Sequence, residues 1–178
     1  MMSANEVLFV VDGDNLFKAV QAAYGKERRI SYIKLLDLLK SGRSEDTVYH
    51  THIFVTVREH LMTQIPFVSR LNMLGFTVHP FTSSIDETTG EVTRIDISKA
   101  IIELIATFRC PRGEYPKTLI VASSSGAYAD LYTALAYQNV NIEVWWFGIN
   151  FSNKIVDVDK KVHLGEEALY IQEEKSTS

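Results

Sequence analysis

Three short stretches of this 178-residue chain hold side chains whose types and spacing could do chemistry. The first is Val10-Val11-Asp12-Gly13-Asp14-Asn15, in which two carboxylates and an amide directly follow an apolar run. Carboxylates in such a place can hold a hard divalent cation, whose preferred ligands are oxygens. Asp, Gly and Asn also serve turns through their backbone preferences alone. The second stretch is Arg94-Ile95-Asp96, which leads into a helical pattern. Asp96 and Glu103 stand seven residues apart, two helical turns, so they share a face with Lys99 between them. Asp96 can equally act as a helix cap, and Glu103 with Lys99 as a surface ion pair. The third stretch is Ser123-Ser124-Ser125-Gly126, between a strand pattern and a helix pattern. Hydroxyls and backbone amides at a helix N-terminus can cradle an anion, and a plain serine cap uses the same residues.

Other reactive side chains are less organised. His50, His52 and His60 are too loosely placed for a metal triad: His50 and His52 share one face of a strand, with no carboxylate partner nearby in sequence. The single Cys110 excludes an internal disulfide and a cysteine-rich zinc site, and no chemistry is assigned to it. Trp145 and Trp146 end a strand, so one should face the core and the other outward, where it could stack a base.

Alternating strands and helices must position these residues. Glu6–Val11 reads as a buried strand and Leu16–Tyr24 as a helix closed by Gly25. Ser31 caps a predicted helix over Tyr32–Lys40, and Val48–Val57 alternates as a strand. Pro66 suits the first turn of a helix that ends at Gly75. Phe76–Phe81 follows as a strand, and Asp86–Glu91 as a turn or hairpin tip. The clearest 3.6-residue period is Ile97, Ala100, Ile101, Leu104, Ile105 and Phe108. Thr118–Ala122 and Ile142–Phe147 read as strands around a helix over Ser125–Gln138, and Phe151–Ile171 as a short helix with a final packing segment. This order implies a mainly parallel sheet with helices on both faces, whose functional crevice lies at the carboxyl ends of the strands.

The net charge of −4 (18 basic, 22 acidic residues) argues against a dedicated DNA-binding protein and leaves room for an acidic metal site. Residues 16–45 reverse the balance: Lys18, Lys26, Arg28, Arg29, Lys34, Lys40 and Arg43 oppose Glu27, Asp37 and Glu45. They read as a solvated helical face or as a basic lip for phosphate or a partner. No signal-type leader and no run of 18 apolar residues is present, so a cytoplasmic, non-membrane protein is expected.

VVDGDNLFKA at residues 10–19, RIDISKAIIELIA at 94–106 and TLIVASSSGAYADLYTALAYQNVNIEVWWFG at 118–148 resemble the NYN domain of the PIN-like nuclease superfamily. The stretch 151–169 is similar to that family's closing segment, with imperfect register, so the resemblance spans roughly residues 6–170. It implies one domain with a three-layer α/β/α, Rossmann-like PIN fold; the last residues, 172–178, read separately as a disordered tail. It also implies an acidic pocket that binds Mg²⁺ or Mn²⁺ and cleaves RNA in active members. Asp12 matches the metal-holding aspartate, Asn15 the asparagine of the same motif, Asp14 its acidic neighbour, and Asp96 the aspartate of the second motif. The family places a further aspartate six residues on; this chain has Ile102 there and Glu103 one place later. Active members read S-G-D-x-D-F in the third motif, and Ser125 and Ala127 stand where its two aspartates belong, with Asp130 about one turn beyond.

Two-metal hydrolysis needs enough carboxylates to hold ions about 3.5–4 Å apart. Asp12, Asp14 and Asp96 suffice for one weakly held Mg²⁺ or Mn²⁺ at most, with Lys99 or Arg94 as alternative partners of the acids. The expectation is therefore an eroded, catalytically deficient nuclease fold that binds RNA or a protein partner. Its pocket would be Asp12, Asn15 and Asp96, its anion cradle Ser123, Ser124 and Ser125, and its phosphate or partner face Arg28, Arg29 and neighbouring basics; a homodimer is compatible with this reading. The competing expectation is an active endoribonuclease using Asp12, Asp14, Asp96 and Glu103. Two weaker readings are a phosphatase with Asp12 as nucleophile and a serine hydrolase built on Ser124 with Asp157 or Asp159 and His163.

Overall fold

The computed structural model describes residues 5–58, 65–93 and 96–171. Strand β1 (Glu6–Asp12) is buried along almost its whole length, as a strand covered on both faces must be. It pairs in parallel with β3 (Val48–Arg58) on one side and β6 (Thr118–Ala122) on the other. From β3 the sheet extends to β4 (Thr77–Ile85) and the short β5 (Val92–Thr93); from β6 it extends to β7 (Asn141–Phe147) and β8 (Lys160–Leu164). The order is β5-β4-β3-β1-β6-β7-β8, and β5 alone runs antiparallel. The fold is a three-layer, Rossmann-like α/β/α sandwich around a parallel sheet of six strands, as the β-α alternation leads one to expect.

Helices α1 (Gly13–Tyr24), α2 (Tyr32–Lys40) and α3 (Ile65–Met73) cover one face. Leu16, Val20, Leu35, Leu39 and Leu71 pack there on Val7, Phe9 and Val11. Helices α4 (Ile97–Thr107) and α5 (Ala129–Ala136) cover the other, where Ile101, Ile105, Tyr132 and Leu135 meet Leu8, Val10 and Val121. Alternation along β1 thus sends odd residues to one layer and even residues to the other. A ribbon of β2 (Arg28–Ile30) and β9 (Leu169–Ile171) lies beside α2, so the last described residues close over the start of the chain.

Three expectations change, and one strand was not expected at all. The first helix starts at Gly13, not Leu16, because Asp12 caps it. The expected helix over Ser125–Gln138 is a single 3₁₀ turn, Gly126–Tyr128, followed by α5. Gly126 packs so closely on residues 152–154 that an added Cβ would lie 2.4 Å from Ser152 Oγ. The expected tail helix is replaced by strand β8, a one-turn 3₁₀ segment and β9. Lastly, β2 is a strand of three residues with two arginines, which carries almost no apolar pattern of its own.

Candidate functional site

The chain runs from β1 outward to β4, then returns through α4 to β6 on the opposite side of β1. The carboxyl ends of β1 and β6 therefore flank the point where the strand order reverses, the usual ligand crevice of open α/β sheets. Asp12 ends β1, and Ser123 follows β6. Gly13 lets the chain leave this point, since a Cβ there would stand 2.6 Å from the Phe54 carbonyl oxygen and 2.8 Å from Val55 Cγ1.

The two ends are tied together by hydrogen bonds. Asp12 is only 7% exposed. Its Oδ1 accepts from the Asn15 backbone N–H at 3.2 Å, while Oδ2 accepts from Ser123 Oγ at 3.1 Å and from the Tyr128 hydroxyl at 2.9 Å. Burial pushes the Asp12 carboxyl above its ordinary value, and the bonds from Tyr128, Asn15 and Ser123 pull it back. Asn15 Oδ1 accepts from the Ser124 N–H at 2.9 Å and from Ser124 Oγ at 3.2 Å. Asp14 reaches β3, accepting from the Thr56 N–H at 3.0 Å and from Thr56 Oγ1 at 2.5 Å. The acidic loop after β1 thus brackets β3 on one side and β6 on the other.

These bonds change the roles expected from sequence. Ser123, Ser124 and Ser125 do not form an open anion cradle. Their donors are turned inward: Ser124 N–H to Asn15, Ser125 N–H to Ser123 Oγ at 3.2 Å, and the Ala127 N–H to Ser125 Oγ at 3.2 Å. Asp96 is exposed and caps α4, accepting from both the N–H and the hydroxyl of Ser98. Those bonds, with Lys99 nearby, hold it below the usual carboxylate range. Asp96 lies within electrostatic reach of Tyr128, and so do Asp12 and Tyr132; burial is what chiefly pushes the Tyr128 hydroxyl upward. The expected basic partner of Asp12, Lys99 or Arg94, is replaced by two neutral hydroxyls; Lys99 is exposed on α4, and Arg94 lies outside the described residues. Glu103 is also exposed, on the side of α4 away from buried Ile101 and Ile105, so it does not supplement the cluster.

The basic lip is partly spent internally, while Lys18, Lys26 and Lys40 stay exposed. Arg43 pairs with buried Glu143 of β7 at 2.9 Å, and Arg28 pairs with Glu166 at 3.2 Å. Lys34 Nζ donates to the Leu169 carbonyl at 2.9 Å, and Arg29 donates to the Lys26 and Arg28 carbonyls. A surplus of positive charge in sequence becomes the seat of β7 and β9. The serine-hydrolase partners are scattered too: Asp157 accepts from Thr133, Asp159 from the Ile142 N–H, and His163 bonds the Gly148 carbonyl.

Sequence reasoning missed two features. Trp145 is buried as one of the pair had to be, while half-buried Trp146 stacks on His163 (4.9 Å, 16°) and touches Phe151 (4.3 Å). Lys161 lies 5.4 Å from the Phe151 ring centre. The Ser152 N–H donates to the Ser124 carbonyl, so this aromatic cluster borders the switch point. The second feature is the carboxylate partner of His50. Parallel register sets Leu8 beside His50, and Glu6 on the same face reaches His50 Nε2 at 2.9 Å. Next along, His52 Nδ1 and His79 Nε2 meet at 3.0 Å, and burial with neighbouring His79 pushes His52 down to about 4. The alternation of His50 and His52 was a visible signal; their partners come from other strands.

No family model and no curated protein matches the chain. Among solved structures, it is similar to the crystal structure of a protein of unknown function from Vibrio parahaemolyticus, at 18% identity and a TM-score of 0.69. The match covers 96% of this chain and 100% of that one. At that identity the likeness speaks for the fold alone. Among the described residues, no helix is long and apolar enough to cross a membrane.

Proposed function

We propose that this chain is a PIN/NYN-like protein whose acidic centre has become a structural latch, leaving a catalytically deficient module that binds single-stranded RNA. One observation carries the first half. Asp12, the carboxylate best placed to hold Mg²⁺ or Mn²⁺, is buried and already takes three hydrogen bonds. An ionised carboxylate offers about four lone-pair sites. Asp14 is committed to Thr56 and Asp96 to Ser98, and the aspartates of the third motif are absent. This donor set does not fit a pair of hard cations.

The aromatic edge supports RNA as the ligand. Trp146, Phe151 and His163, with the Lys161 ammonium beside them and exposed Lys154 on the same loop, offer flat rings and positive charge together. That pairing suits unpaired bases on a phosphate backbone, where each stacked base contributes about 1–3 kcal/mol.

Fluorescence anisotropy with a labelled single-stranded oligoribonucleotide tests the reading. Salt-sensitive binding is expected, weakened about tenfold by Trp146→Leu or Phe151→Ala, with the RNA recovered intact in Mg²⁺ or Mn²⁺. Absence of binding at low salt refutes the RNA reading and leaves a protein partner. Cleavage that Asp12→Asn abolishes refutes the latch reading and restores the endoribonuclease.

A further inference from the structure

We propose that Glu6, His50 and Cys110 form a binding site for a zinc-type divalent cation, at the opposite end of the sheet from the Asp12 latch. Glu6 and Asp12 are six positions apart along β1, which at about 3.3 Å per residue puts the two places about 20 Å apart. The proposal stands on side-chain positions independent of the RNA reading.

Three elements supply the ligands. Glu6 opens β1, His50 lies in β3, and Cys110 follows the C-terminal end of α4. One carboxylate oxygen, one imidazole nitrogen and the sulfur all lie within 4.8 Å of one another. Glu6 Oε2 and His50 Nε2 are 2.9 Å apart, and the Cys110 sulfur lies within 4.8 Å of both groups. A zinc-type ion sits about 2.0–2.3 Å from such ligands, which holds tetrahedral donors roughly 3.5 Å from each other. The cluster needs to draw in or spread by little more than an ångström.

The site is also supported from behind. Cys110 is 7% exposed and sits in a tight turn, its N–H bonded to the Glu114 carbonyl at 2.8 Å and its carbonyl to the Gly113 N–H at 2.7 Å. The His50 ring packs on Phe108 at 5.0 Å. Side chains fixed in this way need little ordering when they bind an ion.

Donor chemistry selects the ion. Mg²⁺ and Ca²⁺ take oxygen ligands almost exclusively, whereas sulfur with imidazole and carboxylate suits Zn²⁺ and its spectroscopic stand-in Co²⁺. Three protein ligands leave a fourth position to solvent, the open form of zinc site. On binding, the Cys110 S–H bond breaks, sulfur donates its electron pair to the ion, and the proton passes to solvent. No electron is exchanged.

Titrating the freshly reduced full chain with Co²⁺ reads this directly. The expected result is one equivalent bound, with a thiolate-to-cobalt charge-transfer band that Zn²⁺ bleaches by displacement. Cys110→Ser should remove the band, and His50→Gln and Glu6→Gln should each weaken binding at least about tenfold. Glu87→Gln, exposed in the turn before β5, should leave it unchanged. No band from wild-type protein overturns the proposal, and so does Co²⁺ binding that survives unaltered in Cys110→Ser. If Cys110→Ser does not fold, X-ray absorption of the wild-type Co²⁺ or Zn²⁺ complex decides instead: a sulfur among the ligands sustains the site, and an all-oxygen or oxygen–nitrogen shell overturns it.

Discussion

Asp12→Ala is expected to destabilise the fold by about 3 kcal/mol, because a buried donor left without its acceptor costs about 1–3 kcal/mol. The substitution removes one partner and leaves three donors: the Asn15 N–H, Ser123 Oγ and the Tyr128 hydroxyl. Ser123 and Tyr128 have no exposed surface, so water cannot readily replace the lost carboxylate. Asp12→Asn keeps one acceptor oxygen but aims an amide at donors, and about 1–3 kcal/mol is expected for it. The direction separates two accounts. In a cluster of mutually repelling metal-site acids, neutralising one carboxylate relieves repulsion and stabilises the metal-free protein. In a hydrogen-bonded latch, the same change loosens the junction of β1 and β6.

The pH dependence follows from burial. Asp12 titrates above its unfolded value of 3.8, chiefly through desolvation. In the window between the two values, the folded state binds more protons than the unfolded one. This group's contribution to stability is therefore fully present below 3.8 and is lost as pH rises through its folded value. Relative to wild type, Asp12→Asn should become more destabilising as pH falls through that window. Asp96 and Glu6 act in the opposite sense, because their values are lowered and their contributions are lost on acidification. Urea unfolding of both proteins across that range, compared as a difference, isolates Asp12.

Glu143→Ala carries the second large effect, about 3 kcal/mol. Glu143 is buried in β7, where Oε2 accepts from Arg43 at 2.9 Å and from Trp145 Nε1 at 3.3 Å. Arg43, 18% exposed through its side chain, also donates to the Leu39 carbonyl at 2.8 Å, which anchors it at the end of α2. Removing the glutamate leaves a mostly buried guanidinium and an indole N–H without their acceptor. Replacing both partners, Arg43→Met with Glu143→Leu, should recover most of the loss, since a buried ion pair and a packed apolar pair differ little in net stability. An unchanged urea midpoint in Glu143→Ala would show that solvent satisfies Arg43 as well as the glutamate does.

The layer architecture was legible because its signals are local. EVLFVV and TLIVA are apolar runs of strand length, and the 97–108 stripe has an unmistakable helical period. Strand β8 and ribbon strand β2 were not legible. Lys160, Lys161 and Arg28 give them polar patterns, and they exist because a neighbouring strand accepts them. The same division holds at the site. Sequence order brought Asp12 and Ser123 to strand ends, which is where they are, with Asn15 in the first turn of α1. It could not show that Tyr128 reaches Asp12 across 116 residues, because that bond depends on a 3₁₀ turn held by Gly126 against Ser152. The basic segment misled for a related reason: charge counting sees Arg43 but not the buried Glu143 that consumes it, 100 residues on. His50 looked partnerless for lack of a nearby acid, and sheet register supplied Glu6 from 44 residues away.

Thermal unfolding of the wild-type protein in rising Mg²⁺ tests the latch most directly, because Mg²⁺ seeks oxygen ligands and passes over the Glu6–His50–Cys110 cluster. An ion that binds the folded state alone raises the unfolding temperature in step with its occupancy. The latch predicts no saturable rise at millimolar Mg²⁺, in wild type or in Asp12→Asn. A saturable rise in wild type that Asp12→Asn abolishes would contradict it, and would make Asp12 a metal ligand after all.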